Sequence, residues 1–173
     1  MNTVRLRPLC HALGFNATRP EQWISRGYFN PSEPGVPGRA RELTKRDAVQ
    51  LLALVELVDA GFDASHIYRE VQNLILRKDT QVFLVISTGY LGRLIPATPR
   101  GGPGVGIEDC APIYFPGQLY SDIVRVEELQ ATITQKERHV SIVLSLDNLH
   151  DRVNEAWNEI YLKASGQPGE ERE

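Results

Sequence analysis

The sequence predicts an α+β chain in two domains: four helices first, then a small α/β half that closes on a last helix. Three observations carry that prediction. Apolar residues recur at helical spacing over about residues 5–77 and then give way, at Gln81, to the β-branched run Gln-Val-Phe-Leu-Val-Ile-Ser-Thr. Glycines stand just past the ends of three helical stretches, at positions 14, 27 and 61. Charge is also sorted along the chain. Residues 1–78 carry 11 Lys or Arg against 8 Asp or Glu, whereas residues 79–173 carry 8 against 14.

The first helix is expected over Arg5 to Leu13, where Leu6, Leu9 and Leu13 share a face. The second runs from about Thr18 to Arg26, with Thr18 as its N-cap and Pro20 in the first turn, where a missing N–H costs nothing. Only Gly14, Phe15, Asn16 and Ala17 lie between them, which is a helix-turn-helix spacing. Residues 30–43 hold three prolines and two glycines and read as a loop or an irregular hairpin. A third helix starts at Thr44, with Asp47 as its reciprocal capping partner, and stops at Ala60 before Gly61. A fourth begins between Asp63 and Ser65 and places Ile67, Val71, Leu74 and Ile75 on one face up to about Arg77.

The second half opens with a strand over Gln81 to Thr88. Residues 89–118 hold half of the 14 glycines and five of the 11 prolines, and are expected to be a long loop with a short strand near Ile113 to Phe115. Val124 to Thr134 fits a helix through Val126, Leu129 and Ile133, or a strand that ends before one. Val140 to Leu146 reads as a strand. Asp147 is expected to cap a final helix to about Ala164. Its stripe of Leu149, Val153, Ala156, Ile160 and Lys163 suits either a short coiled-coil seam between two copies or packing on the strands of its own domain. The expected boundaries are a first domain over 1–78, a second over 79–165 and a polar tail over 166–173.

Taken in order, the features of residues 5–76 resemble the DNA-binding domain of MerR-type regulators, a winged helix-turn-helix. The resemblance rests on Gly14, Gln22-Trp23, Gly27-Tyr28-Phe29, Pro31 through Arg41, Leu43-Thr44-Lys45-Arg46-Asp47, Gly61-Phe62 and Ile67. It implies a recognition helix over 18–26, a basic loop as the wing, and double-stranded DNA as partner. Two features depart from the family. Glu21 stands where an Arg is usual, and Arg39-Ala40-Arg41 replaces the usual aromatic-Arg of the wing. The family's long dimerisation helix is also missing, because residues 80–88 read as a strand.

The residues expected at DNA follow from that reading. Asn16, Thr18, Arg19, Gln22 and Arg26 belong to the recognition helix and the turn before it, where donors and acceptors reach base edges. Arg39 and Arg41 in the loop, and Lys45 and Arg46 in the first turn of the third helix, suit phosphates or a minor groove. Glu21 would repel phosphate but can accept from a cytosine amine. Trp23, Tyr28 and Phe29 are expected in the core.

Other chemistry is poorly represented. His11, His66, His139 and His150 are scattered, and Cys10 and Cys110 form no metal pattern, so no metal, cofactor or catalytic residue is expected. The glycines of Arg100 to Gly106 lack the strand, helix and Lys of a phosphate cradle and read as a flexible loop. Arg5 and Arg7 precede no apolar core of a secretory signal, no run suits a membrane span, and the two thiols suit a reducing cytoplasm. The function expected is a dimeric, sequence-specific transcriptional regulator and not an enzyme, with an unknown effector or protein partner acting on the second half. Two alternatives are a phage-type architectural or packaging DNA-binding protein and a protein-binding adaptor that keeps the winged fold.

Overall fold

In a computed structural model the chain is mixed α+β, and the structure describes residues 3–33, 35, 36, 39–72, 74, 81–96, 110–136 and 138–165. The elements in order are β1 (Thr3–Arg5), α1 (Leu6–Ala12), α2 (Thr18–Ser25), β2 (Glu42–Thr44), α3 (Lys45–Asp59), α4 (Ala64–Gln72), β3 (Val82–Pro96), β4 (Cys110–Arg125), α5 (Val126–Ile133), β5 (Arg138–Ser145) and α6 (Leu146–Ser165). They fall into two units: residues up to Thr80 together with the chain from Leu146 onward, and residues 81–145. Among the described residues no helix is long and apolar enough to cross a membrane.

The first unit is organised around α3. Its start is fixed locally. Thr44 Oγ1 accepts from the Asp47 N–H at 3.2 Å, while the Asp47 carboxylate accepts from the Thr44 N–H and hydroxyl, both at 2.8 Å. This is the capping box expected from sequence. The same carboxylate also accepts from Ser32 N–H at 3.0 Å and Ser32 hydroxyl at 2.6 Å, which ties the 30–41 loop to the helix. Asp47 is fully buried, and these four bonds are what make a buried carboxylate tolerable. Beyond the cap, ten of the fifteen α3 residues are buried, so the helix is enclosed on nearly every side. It ends at Asp59 with Ala60 as its C-cap, and the chain turns away at Gly61, whose φ of +103° is a conformation L side chains rarely adopt.

Around α3 pack β2, α4 and α6, while α1 packs on α6 and on β1. β1 and β2 form a short antiparallel ribbon in which buried Val4 faces buried Leu43. β1 has no local signature in the sequence, in which residues 42 and 43 read as loop and Thr44 as the start of α3. The ladder joins segments about forty residues apart, so no local pattern marks it. Gln50 Nε2 donates to the Gln72 carbonyl at 2.8 Å and holds the end of α4 to α3. The fourth helix is described to Gln72, and the stretch to Arg77 expected from sequence lies outside the described residues apart from Leu74.

α6 corrects the expected organisation. Leu149, Val153 and Ala156 of its stripe are buried in the first unit, where α6 packs on α1 and α3. Leu149, Val153, Ala156 and Trp157 are all buried there, at about 1.5–3 kcal/mol for each large side chain. Arg152 pairs with Glu56 across the same contact. The helix begins at Leu146, one residue before the Asp147 expected to cap it.

The second unit is a three-stranded antiparallel sheet in the order β4-β3-β5, with α5 packed on β3 and β4. The long loop expected over 89–118 is mostly wrong: β3 runs on to Pro96, and β4 starts at Cys110 and takes in the strand expected at Ile113 to Phe115. Glycine and proline read as breakers because each weakens a strand locally, but here cross-strand pairing overrides them. The ladder adapts at Gly89, where the register slips by one residue against both neighbouring strands, at Gly117 of β4 and at His139 of β5. The glycines at 101, 102, 104 and 106 lie outside the described residues, as does the expected tail over 166–173. The two readings of 124–134 both hold in part, since β4 ends at Arg125 and α5 starts at Val126.

Candidate nucleic-acid interface

α2 is short, and its neighbours determine what it presents. Pro20 and Trp23 are buried, whereas Thr18, Gln22 and Arg26, spaced at i, i+4 and i+8, lie exposed along one face. The helix starts differently from expectation. Ala17 is the N-cap and Thr18 the first helical residue. Asn16 Oδ1 accepts from both the Thr18 N–H and the Thr18 hydroxyl at 2.8 Å, so the Thr18 side chain acts as a donor at this helix start and not as the cap. After the helix, the N–H groups of Tyr28 and Phe29 both donate to the Trp23 carbonyl, at 2.8 and 3.3 Å. That reversal drops Phe29 into the core with Trp23, as expected, and leaves Tyr28 half-buried against Tyr68.

Ion pairs brace both flanks of α2. On one side Arg19 donates through both terminal nitrogens to Asp59 of α3 at 2.9 Å, with its guanidinium 5.4 Å from the centre of the Trp23 ring. On the other, Arg7 of α1 donates to Glu21 at 2.7 Å. That hydrogen bond, more than the charge of Arg7, holds the Glu21 carboxyl below its ordinary range. The acidic residue that departs from the family pattern is thus neutralised by a partner fourteen residues away, so it does not stand as a bare charge beside the expected DNA face.

Beside this second flank lies a groove of about 620 Å³ between α1, α2 and the loop, with Arg5, Arg7, Arg39 and Arg41 on its walls. The loop is held there by backbone bonds. The Arg41 carbonyl accepts from the Leu6 N–H at 2.9 Å, and the Arg39 N–H donates to the Val36 carbonyl at 3.1 Å. The Arg41 guanidinium lies over Gly35, where an added Cβ would come within 2.9 Å of it.

The sequence-predicted residues therefore separate into groups. Thr18, Gln22 and Arg26 share the exposed face of α2, and Asn16 accepts from Thr18 at its start. Arg19 is engaged by Asp59. Arg39 and Arg41 line the groove. Lys45 is turned to α6, donating to Asn154 Oδ1 at 2.9 Å with its ammonium 5.8 Å from the Trp157 ring centre. Arg46 is exposed on the first turn of α3. Sequence reasoning missed Arg5 and Arg7 as site residues. The available signal is the Arg-x-Arg pair that flanks Leu6, the first residue of the first apolar stripe.

The second unit holds a polar cluster of another kind. The Arg138 guanidinium, its side chain 5% exposed, donates to Asp122 at 2.6 Å, to Gln135 at 2.8 Å and to Ser87 at 3.3 Å, and lies 5.3 Å from the Tyr120 ring centre. Ser87 and Ser141 share a hydrogen bond of 2.8 Å. With its donors directed to these partners, the cluster locks strands together and offers no nucleophile–base pair. Among the described residues no group of His, Cys, Asp or Glu could hold a metal ion. Cys10 is a buried free thiol, pushed up to about 12 chiefly by burial and further by the Glu21 charge, so it is a poor nucleophile at neutral pH. No protein-family model and no curated protein matches the chain.

Proposed function

We propose that the chain is a sequence-specific DNA-binding transcriptional regulator that acts as a dimer on a two-fold site. On this reading residues 1–78 are a winged helix-turn-helix domain similar to that of MerR-type regulators. α1 and α2 are the helix-turn-helix, α2 is the recognition helix, and the 30–41 loop with the β1–β2 ribbon is the wing. Double-stranded DNA is the partner, and the protein acts in the cytoplasm as a binder, not an enzyme.

One observation carries the reading: a helix braced on both flanks presents Thr18, Gln22 and Arg26 outward beside a groove walled by arginines. Base readout needs donors and acceptors at fixed angles, and a braced helix supplies the angle. Phosphate contact needs long cations next to it, and Arg39 and Arg41 supply those. The dimer follows from the small footprint of a single module, which a second copy doubles.

Selection of bound fragments from random duplex DNA by the purified chain tests the proposal. The expected result is an enriched palindrome with half-sites about 10 base pairs, or a multiple of that, apart. Enrichment of no sequence contradicts sequence-specific regulation.

A further inference from the structure

The groove beside α2 extends the DNA reading to residues it does not yet include. Arg5, Arg39 and Arg41 face it, and none of the three forms an ion pair among the described residues. Glu42, the cross-strand neighbour of Arg5, accepts instead from the Thr3 hydroxyl at 2.7 Å. The acid in the wall, Glu21, is taken by Arg7. Pro8 and Ile24 add apolar surface to the same groove. With Glu21 paired to Arg7, the remaining arginines leave the wall an excess of positive charge, which draws an anion. Guanidinium and apolar surface in one groove suit a chain that carries both phosphate and the apolar face of deoxyribose. One wall is α2 itself, so a strand whose bases meet Gln22 would carry its backbone along this side.

Resting on the DNA reading above, we infer that the groove seats the sugar–phosphate backbone of one DNA strand. Arg5 is a phosphate contact there, and Arg7 is the positioning residue that keeps Glu21 from repelling that backbone. Arg5 thus acts without regard to sequence, and Arg7 acts through Glu21.

The test is fluorescence anisotropy of the full chain with two labelled 24-base-pair duplexes, one carrying the selected site and one of arbitrary sequence, across a salt series. Arg5→Ala is expected to weaken both duplexes by the same factor and to make the log–log salt slope shallower by about 1. Its thermal midpoint should match the parent, because the side chain is exposed. Arg7→Ala is expected to weaken binding more than Arg5→Ala, and adding Glu21→Gln to it should recover most of that extra loss. Unchanged affinity and slope for Arg5→Ala, while Gln22→Ala still erases the preference for the site, overturns the groove inference and leaves the DNA reading standing. Failure of the Glu21→Gln rescue overturns the role given to Arg7. Absence of salt-sensitive binding by the parent chain overturns both readings together.

Discussion

The two units solve the same packing problem with different surfaces. In each, one central element takes burial from its neighbours: α3 in the first, where Leu51, Leu52, Leu54 and Leu57 are wholly enclosed, and β3 in the second, where Val82, Leu84, Val85 and Ile86 are. The outer elements differ. The first unit surrounds α3 with helices whose outer faces are charged and cross-braced, as Arg7–Glu21, Arg19–Asp59 and Arg152–Glu56 illustrate. The second has a single helix over three strands and leaves Val126, Ile133, Val140 and Val143 exposed, Val140 to 58%. A cross-braced, arginine-rich surface belongs to the first unit, whereas in the second the Arg138, Asp122, Ser87 and Ser141 side chains tie the strands to one another.

Four measurements would break or sharpen this contrast. The largest effect is expected from Leu52→Ala in the enclosed helix, which should lose about 2–5 kcal/mol in chemical denaturation because a closed core cannot collapse into the cavity. A loss below that range would mean α3 is less tightly held than its burial implies. Next is Asp47→Ala. It removes the capping box and the two bonds from Ser32 together, so a loss of about 2–3 kcal/mol is expected, beyond what an exposed cap contributes.

In the second unit, Arg138→Met should cost less, about 1–2 kcal/mol. Its partner Asp122 is 40% exposed and can regain water, unlike the partner in a fully buried pair. A cost matching that of Leu52→Ala would place the arginine cluster on a par with the first core. The smallest effect near neutral pH concerns Cys10. Its thiol holds its proton more tightly when folded, so the associated stability is intact below about pH 8.5 and is lost as pH rises from there toward 12. With Cys110→Ser removing the other thiol, native protein at pH 8 should resist iodoacetamide and its urea midpoint should fall above pH 9. Rapid native alkylation would contradict the burial.

What could be read from the sequence was local. Thr44 and Asp47 are three residues apart, and their reciprocal bonds were foreseen in full. Gly14, Gly27 and Gly61 marked helix ends because each has a positive φ that other residues avoid. What escaped was set by distant partners. Gly89, Gly92, Pro112 and Pro116 signal a loop on their own, and only the ladder between β3 and β4 makes them strand. The stripe on α6 showed that a partner exists without saying which, and α1 and α3 took it. The same holds for the site. Gln22 and Arg26 were readable from helical spacing, whereas the pairing of Glu21 with Arg7 depends on how α1 meets α2.

The most direct test of the central claim is the affinity of the purified chain for its selected duplex as salt is raised. Arg39 and Arg41 as phosphate contacts predict a log–log slope of about −1.8 or steeper per protomer, with Arg41→Ala shallower by about 1 at an unchanged thermal midpoint. A flat dependence, or no binding at low salt, would contradict DNA recognition by this surface.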